Sequence, residues 1–349
     1  MTNERDLPWN WTDETLKDLS DFLSRRGIMT GPLTSKAIGD GHSNLTFLIS
    51  NGQQEVVVRR PPPPPLPRGA HDMLREATFL GALHSTGFPV PQVLATAEEH
   101  EVLDVPFYVM TFARGEVVTT ETPVALNNPE DRANISRSLV DTLAWLHSVD
   151  YEATGLAEMG KPAGFNRRHL KRMAQLIQDE SGTQPEAFAE IYTWLEENVP
   201  EESGAAVVHN DFRIGNMIIA SEAPGRVEAV LDWELATLGD PLLDLGYFLS
   251  SVPEPGRPRT PTEDLGTAML EEGYLSRAEL AERYAAKTGT QLTNLSWYIT
   301  MALWKVAALY EYSRRRAESG AGDDYYLTPG LVDSFLAEAK ETAGLESSL

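Results

Sequence analysis

No cysteine occurs among the 349 residues, so disulfides, thiolate nucleophiles and cysteine-ligated zinc are excluded and a reducing compartment is expected. No stretch approaches ~18 uninterrupted apolar residues, and Met1 to Asp6 carries charges of both signs with no apolar run behind it. Neither a membrane span nor an export signal is expected, and the chain reads as cytoplasmic. Basic residues are scarce: 29 Lys and Arg stand against 52 Asp and Glu, a formal net charge of −23. That balance disfavours partners held through phosphate backbones, so no nucleic acid partner is expected. The deficit is uneven, net −5 over residues 1–112 and −18 beyond. A cationic ligand would be drawn to such a field, yet an acidic surface also serves solubility alone. Internal repeats are missing, and low complexity is confined to Pro61 to Pro65 with Pro67. Although Arg59, Pro62 and Pro65 fit an RxxPxxP spacing, the run reads as a stiff connection from strand to helix.

What is present is 42% hydrophobic and 23% charged residues, enough for one large core or two moderate ones. Thr12 predicts a helix cap, Asp13 and Glu14 suit a first turn, Leu16, Leu19, Phe22 and Leu23 form one face, and Arg25, Arg26 and Gly27 close it. Strand-like runs follow at 34–38, 44–50 and 55–59, separated by glycines and the Asn51-Gly52 turn, which predicts an antiparallel meander. A helical pattern at 73–84 and apolar strand patterns at 93–97 and 107–112 complete a small α+β lobe over 1–112. Beyond Gly115 helical patterns dominate, at 132–149, 167–180, 185–198, 277–287 and 293–318. This is the expected second lobe, 113–349, interrupted by β-like pieces at 206–209, 217–220 and 227–232.

The informative polar residues sit beside those pieces. His209-Asn210-Asp211-Phe212-Arg213-Ile214-Gly215-Asn216 is followed by Leu231-Asp232-Trp233-Glu234. Phosphoryl transfer needs one carboxylate to orient a hydroxyl and accept its proton, and an amide oxygen and a second carboxylate to hold magnesium against phosphates. Asp211, Asn216 and Asp232 supply that set. Seen singly, Asp211 would pass for an Asx-turn residue and Asn216 for a loop cap. Glu234 can serve a second magnesium or face solvent. Asp240 precedes Pro241, which suits a first helical position, so Asp240 and Asp244 read as helix-capping and loop-bracing residues. His147 reads as a core histidine, and Trp297, Tyr298, Trp304, Tyr310 and Tyr312 as core aromatics or pocket lining.

These motifs resemble the aminoglycoside phosphotransferase family of kinase-like enzymes, with its HxDxxxxN loop and following metal-binding Asp. Gly239-Asp240-Pro241 with Asp244-Leu245 is similar to the family's GDPxxDL segment, and the wording is closest to the kinase-like domain fused to some acyl-CoA dehydrogenases. The resemblance covers roughly residues 38–252. It implies a two-lobe, protein-kinase-like α+β fold with a five-stranded antiparallel first lobe and a hinge near Ala113. It also implies ATP and Mg2+ as cofactors and a small-molecule alcohol as acceptor. By the same resemblance His209 belongs to the catalytic loop, Gly39, Gly41, His42 and Ser43 lie over the phosphates, and Arg59 and Glu76 stand where kinases place a Lys–Glu pair. Main-chain groups of Met110, Thr111, Phe112 and Ala113 would hold the adenine edge. Arg at position 59 departs from the kinase Lys, but its fork of donors still suits phosphate. Only eleven residues separate Asp232 from Asp244, and neither DFG nor APE is present, which argues against a protein kinase. A nucleotide-binding module without turnover is the alternative from another class, and a hydroxyacyl-type alcohol is the alternative to an antibiotic acceptor.

Overall fold

Thr12 caps the first helix, α1 (Asp13–Arg25), through a reciprocal pair of hydrogen bonds with Thr15. Leu19, Phe22 and Leu23 form its buried face, as the spacing predicts. The computed structural model describes residues 11–39, 44–62, 71–222 and 224–345. Packing divides the chain into two units: the first runs to Arg114 and also takes in Ala229–Glu234, and the second comprises Gly115–Glu228 and the chain from Leu235 onward.

The first unit is built on β1 (Thr34–Ala37), β2 (Leu45–Ser50), β3 (Glu55–Arg60), β4 (Val93–Ala97) and β5 (Phe107–Thr111). The five strands pair antiparallel in the order β1-β2-β3-β5-β4, the meander followed by an inserted edge. Strand alternation then sorts the side chains. Val56, Val58, Phe47, Ile49, Phe107 and Val109 join the α1 face in one core. Arg59, of the opposite parity to Val58, pairs in register with Tyr108 and reaches α2 (Met73–Ser85) on the other side of the sheet. The Asn51-Gly52 turn forms as expected, with Gly52 at φ 86° and Asn51 Oδ1 accepting the N–H groups of Gln53 and Gln54.

The second unit carries the β pair β6 (Ala206–Val208) with β9 (Thr237–Gly239); elsewhere in the chain β7 (Met217–Ile219) pairs with β8 (Val227–Val230). The helices of the second unit are α3 (Pro129–Ser148), α4 (Phe165–Ile177), α5 (Glu186–Glu197), α6 (Pro241–Ser250), α7 (Pro261–Asp264), α8 (Arg277–Thr288), α9 (Leu295–Glu318) and α10 (Leu331–Ala343). Gly246 lets α6 lie against α9, because a Cβ there would sit 2.6 Å from the Tyr298 main chain. The predicted strand 227–232 is shorter than its pattern. Pairing stops at Val230, whose carbonyl accepts the Trp233 indole N–H at 2.9 Å, and Asp232 turns into the left-handed region at φ 68°. β9, α7 and α10 were not singled out in the sequence. Three residues, Thr237 to Gly239, are too few to show a period.

Candidate active site

In the first unit, strand parity and helix phase bring opposite charges together. Arg59 on β3 meets Glu76 on α2 at 3.2 Å and Asp232 at 2.5 Å, while Glu234 Oε2 stands 4.0 Å away. Glu76 is buried, and its Oε1 accepts the Trp233 N–H at 3.2 Å, so one carboxylate fixes both the arginine and the segment carrying Asp232. Burial opposes the Arg59 charge, but Glu76, Tyr108, Asp232 and Glu234 outweigh it and raise its pKa. Burial likewise raises the pKa of Glu76, with Arg59 pulling the other way. Asn44 donates to Glu234 Oε2 at 2.7 Å and is itself bonded to His71 at 2.8 Å. Glu234 is therefore held by this cluster instead of facing solvent.

Arg60 points to the opposite face of the sheet, over the rings of Phe47 and Trp11. Gly39 adopts φ 83°, whereas Gly41, His42 and Ser43 lie outside the described residues, as does most of the proline run. Met110 and Thr111 end β5, and Phe112 and Ala113 continue past its last paired residue.

In the second unit the His209–Asn216 loop is braced from behind. Asp244, fully buried on α6, accepts the main-chain N–H groups of His209 and Asn210 at 2.6 Å each and faces His147 Nε2 at 3.3 Å. Burial alone would raise the Asp244 pKa, but His147, with help from His209, lowers it. His147 also bonds the Tyr284 hydroxyl at 2.7 Å, which makes it a satisfied core histidine. His209 is buried, and its Nδ1 accepts the Asp211 N–H at 3.2 Å, a role in loop shape. Asn210 takes the left-handed conformation, φ 67°, which Asn tolerates better than most residues. Asp240 caps α6 and binds Asn166, Ser203 and the Tyr298 hydroxyl, so its carboxylate is committed to packing at the start of that helix.

Against that buried backing the Asp211 side chain keeps 22% exposure. Asn216 Nδ2 donates to Asp211 Oδ2 at 2.7 Å and to its main-chain oxygen at 2.8 Å. Two acceptors on the nitrogen turn the Asn216 amide oxygen the other way. Tyr247 donates its hydroxyl to Asp211 Oδ1, and Arg213 Nε lies 3.7 Å from the same oxygen. Lys305, buried on α9, donates to the Asn210 carbonyl at 2.8 Å. Sequence reasoning missed Tyr247, Lys305 and Asn44. Signals existed for two: Tyr247 follows Asp244 by three residues on one helix, hence on one face, and Lys305 is the single charge in the apolar run from Trp297 to Tyr310.

Magnesium can be tested against the donors present. Among the described residues no group of three or more His, Asp or Glu gathers as a metal cage. Asp232 in the first unit and Asn216 in the second are, by type, a carboxylate and an amide oxygen, donors of the kind a hard cation takes. Also among the described residues, no helix is long and apolar enough to cross a membrane.

Residues 34–286 match the family described as "Phosphotransferase enzyme family". "Acyl-CoA dehydrogenase family member 11" of Rattus norvegicus is 32% identical over 311 residues, covering 86% of this chain and 39% of that protein. The chain thus spans about two fifths of the length of the curated relatives it matches. A crystal structure from Ralstonia eutropha JMP134, provisionally assigned as an aminoglycoside phosphotransferase, superimposes with a TM-score of 0.76 at 27% identity, covering 95% of this chain and 99% of that one. A thermostable variant of the aminoglycoside phosphotransferase APH(4)-Ia, complexed with AMP-PNP and hygromycin B, gives a TM-score of 0.59 at 16% identity, covering 95% and 100%. These likenesses show a kinase-like, two-lobe α+β fold.

Proposed function

This chain belongs to the phosphotransferase enzyme family, and on that premise we propose that it is a small-molecule kinase that moves the γ-phosphoryl group of ATP to a substrate hydroxyl. Asp211 orients the hydroxyl and accepts its proton. Arg59 holds phosphate, Glu76 positions Arg59, and main-chain groups of Met110 to Ala113 take the adenine edge. Asn216 and Asp232 hold magnesium, which neutralises phosphate charge. Positioning and charge compensation supply most of the acceleration in this class of reaction.

The observation that carries the reading is the state of Asp211: a carboxylate left partly exposed on a loop whose other anchors are buried. For the acceptor, solved neighbours are named for aminoglycosides and curated relatives for acyl-CoA dehydrogenation. The acidic residues beyond position 112 suit a cationic aminoglycoside, whereas the curated relatives and Arg213 beside Asp211 favour a hydroxylated acyl or other metabolic alcohol. A second reading, nucleotide binding without turnover, draws on the Arg59–Asp232 pair, which commits to an arginine the carboxylate that magnesium would need.

ADP release from ATP with magnesium, measured against aminoglycosides, sugars, choline-like alcohols, macrolides and hydroxyacyl thioesters, separates the two. Turnover with one acceptor is expected, and Asp211→Asn should lower it by about 10²- to 10⁴-fold while leaving ATP affinity near wild type. ATP binding with no turnover on any acceptor would establish the second reading. Turnover that survives Asp211→Asn unchanged would remove this loop from the chemistry.

A further inference from the structure

We infer that Tyr247 and Lys305 are positioning residues for Asp211, acting through its carboxylate and through the main chain just before it. The inference rests on the kinase reading above and extends it to two residues that no motif includes.

A proton acceptor in phosphoryl transfer must present one oxygen to the hydroxyl in a fixed direction. An aspartate on a loop has two side-chain torsions to settle. Here Asn216 holds Oδ2 at 2.7 Å and Tyr247 donates to Oδ1, so both torsions are fixed from two directions. The buried Tyr247 phenol has its pKa raised well above 10 by burial and then by the Asp211 charge, so it stays a donor across the physiological range. Tyr247 and Asn216 orient Asp211 as neutral donors at hydrogen-bond distance, with the Arg213 guanidinium farther off at 3.7 Å.

Lys305 completes the arrangement from below. Its Nζ donates to the Asn210 carbonyl at 2.8 Å, and it lies 4.9 Å from the centre of the Tyr247 ring. The same ammonium therefore holds the peptide leading into Asp211 and the ring whose hydroxyl meets Asp211. A buried lysine is costly, and a residue kept only for packing would be served as well by leucine or methionine. Two contacts that converge on one carboxylate give the cation a function.

Steady-state ADP release with ATP, magnesium and the most active alcohol of the acceptor panel tests the inference. Tyr247→Phe removes one oxygen and keeps the ring, so the fold is not at stake. Its kcat should fall about 10- to 100-fold, with KM for ATP within about twofold of wild type. Lys305→Met, which keeps chain length and loses the charge, should show the same split, with thermal midpoints measured alongside. If Lys305→Met does not fold, Tyr247→Phe decides. An unchanged kcat in Tyr247→Phe, while Asp211→Asn is inactive, would overturn the inference and leave the kinase reading standing. A fall in kcat matched by a rise in KM for ATP would also overturn it, since the residues would then serve nucleotide binding. Wild-type protein that releases no ADP with any acceptor would overturn both.

Discussion

The charge cluster of the first unit and the loop of the second hold their polar groups by different means. Around Arg59 the candidates are bound to one another: guanidinium to Glu76 and Asp232, with Glu234 close by. Around Asp211 they are bound to helpers: an amide and a phenol on the carboxylate, an ammonium on the preceding carbonyl, and Asp244 behind the loop N–H groups, with Arg213 at 3.7 Å. Opposite charges in contact satisfy each other but leave each group committed, so a ligand entering the first site must compete with a standing ion pair. A scaffold in which neutral donors make the hydrogen bonds and the cation Arg213 stands farther off, at 3.7 Å, leaves the carboxylate oriented. The first arrangement suits a clamp that exchanges partners, and the second suits a fixed tool.

The comparison breaks most severely at Asp244. Asp244→Ala would orphan two buried N–H groups and the His147 ring, so we expect a loss of about 3–5 kcal/mol in urea unfolding. Glu76→Gln keeps one acceptor and relieves a costly buried charge, and it should cost clearly less. Equal losses would show that both sites are held in the same way.

Next in size is a pH effect at Lys305, whose pKa burial lowers to about 8 from an ordinary 10.5. Between those values the unfolded chain binds more protons than the folded one, so stability rises with pH from about 8 to about 10.5. The gain is of the order of 3 kcal/mol. It is read as the wild-type stability curve minus that of Lys305→Met, which cancels the other titrating groups. A flat difference would show that the ammonium is not held as a buried charge. The Arg59 side has no counterpart, since its neighbours raise the arginine pKa and keep it charged throughout.

The smallest effect sharpens the first half. Arg59→Lys retains a point charge and loses the fork, so ATP affinity measured by calorimetry should weaken by about tenfold or less, and Arg59→Ala by more. Unaltered affinity in the alanine variant would mean that Arg59 is not the phosphate clamp.

Most of this architecture was legible beforehand where pattern and chemistry coincide. The α1 face, the five strands and the Asn51-Gly52 turn follow from apolar spacing and turn residues, and Asp240 before Pro241 marks the start of α6. The three-residue β9 was not, because its pairing with β6 is a long-range event with no local period. Asp232 reads as the end of a strand, yet the chain turns left-handed there, a conformation Asp tolerates, and the next N–H donates to Glu76, a contact with no local signal. In the loop, residue types alone picked out Asp211 and Asn216 as a pair, but nothing in their spacing points to Tyr247 or Lys305, which arrive from α6 and α9. Parity explains why Arg59 and not Arg60 meets Glu76, although only the register with β5 fixes which parity faces α2.

One consequence of α9 concerns length. Tyr298 reaches Asp240 and Lys305 reaches the Asn210 carbonyl, and they are seven residues apart, two turns and about 10 Å along one helical stripe. The helix therefore works as a gauge block that sets the interval between the α6 cap and the loop. A one-residue insertion between the two would swing one contact about 100° out of phase with the other. The count of residues along this stretch is thus constrained in addition to their buried side chains, and relatives that keep both contacts should keep the interval.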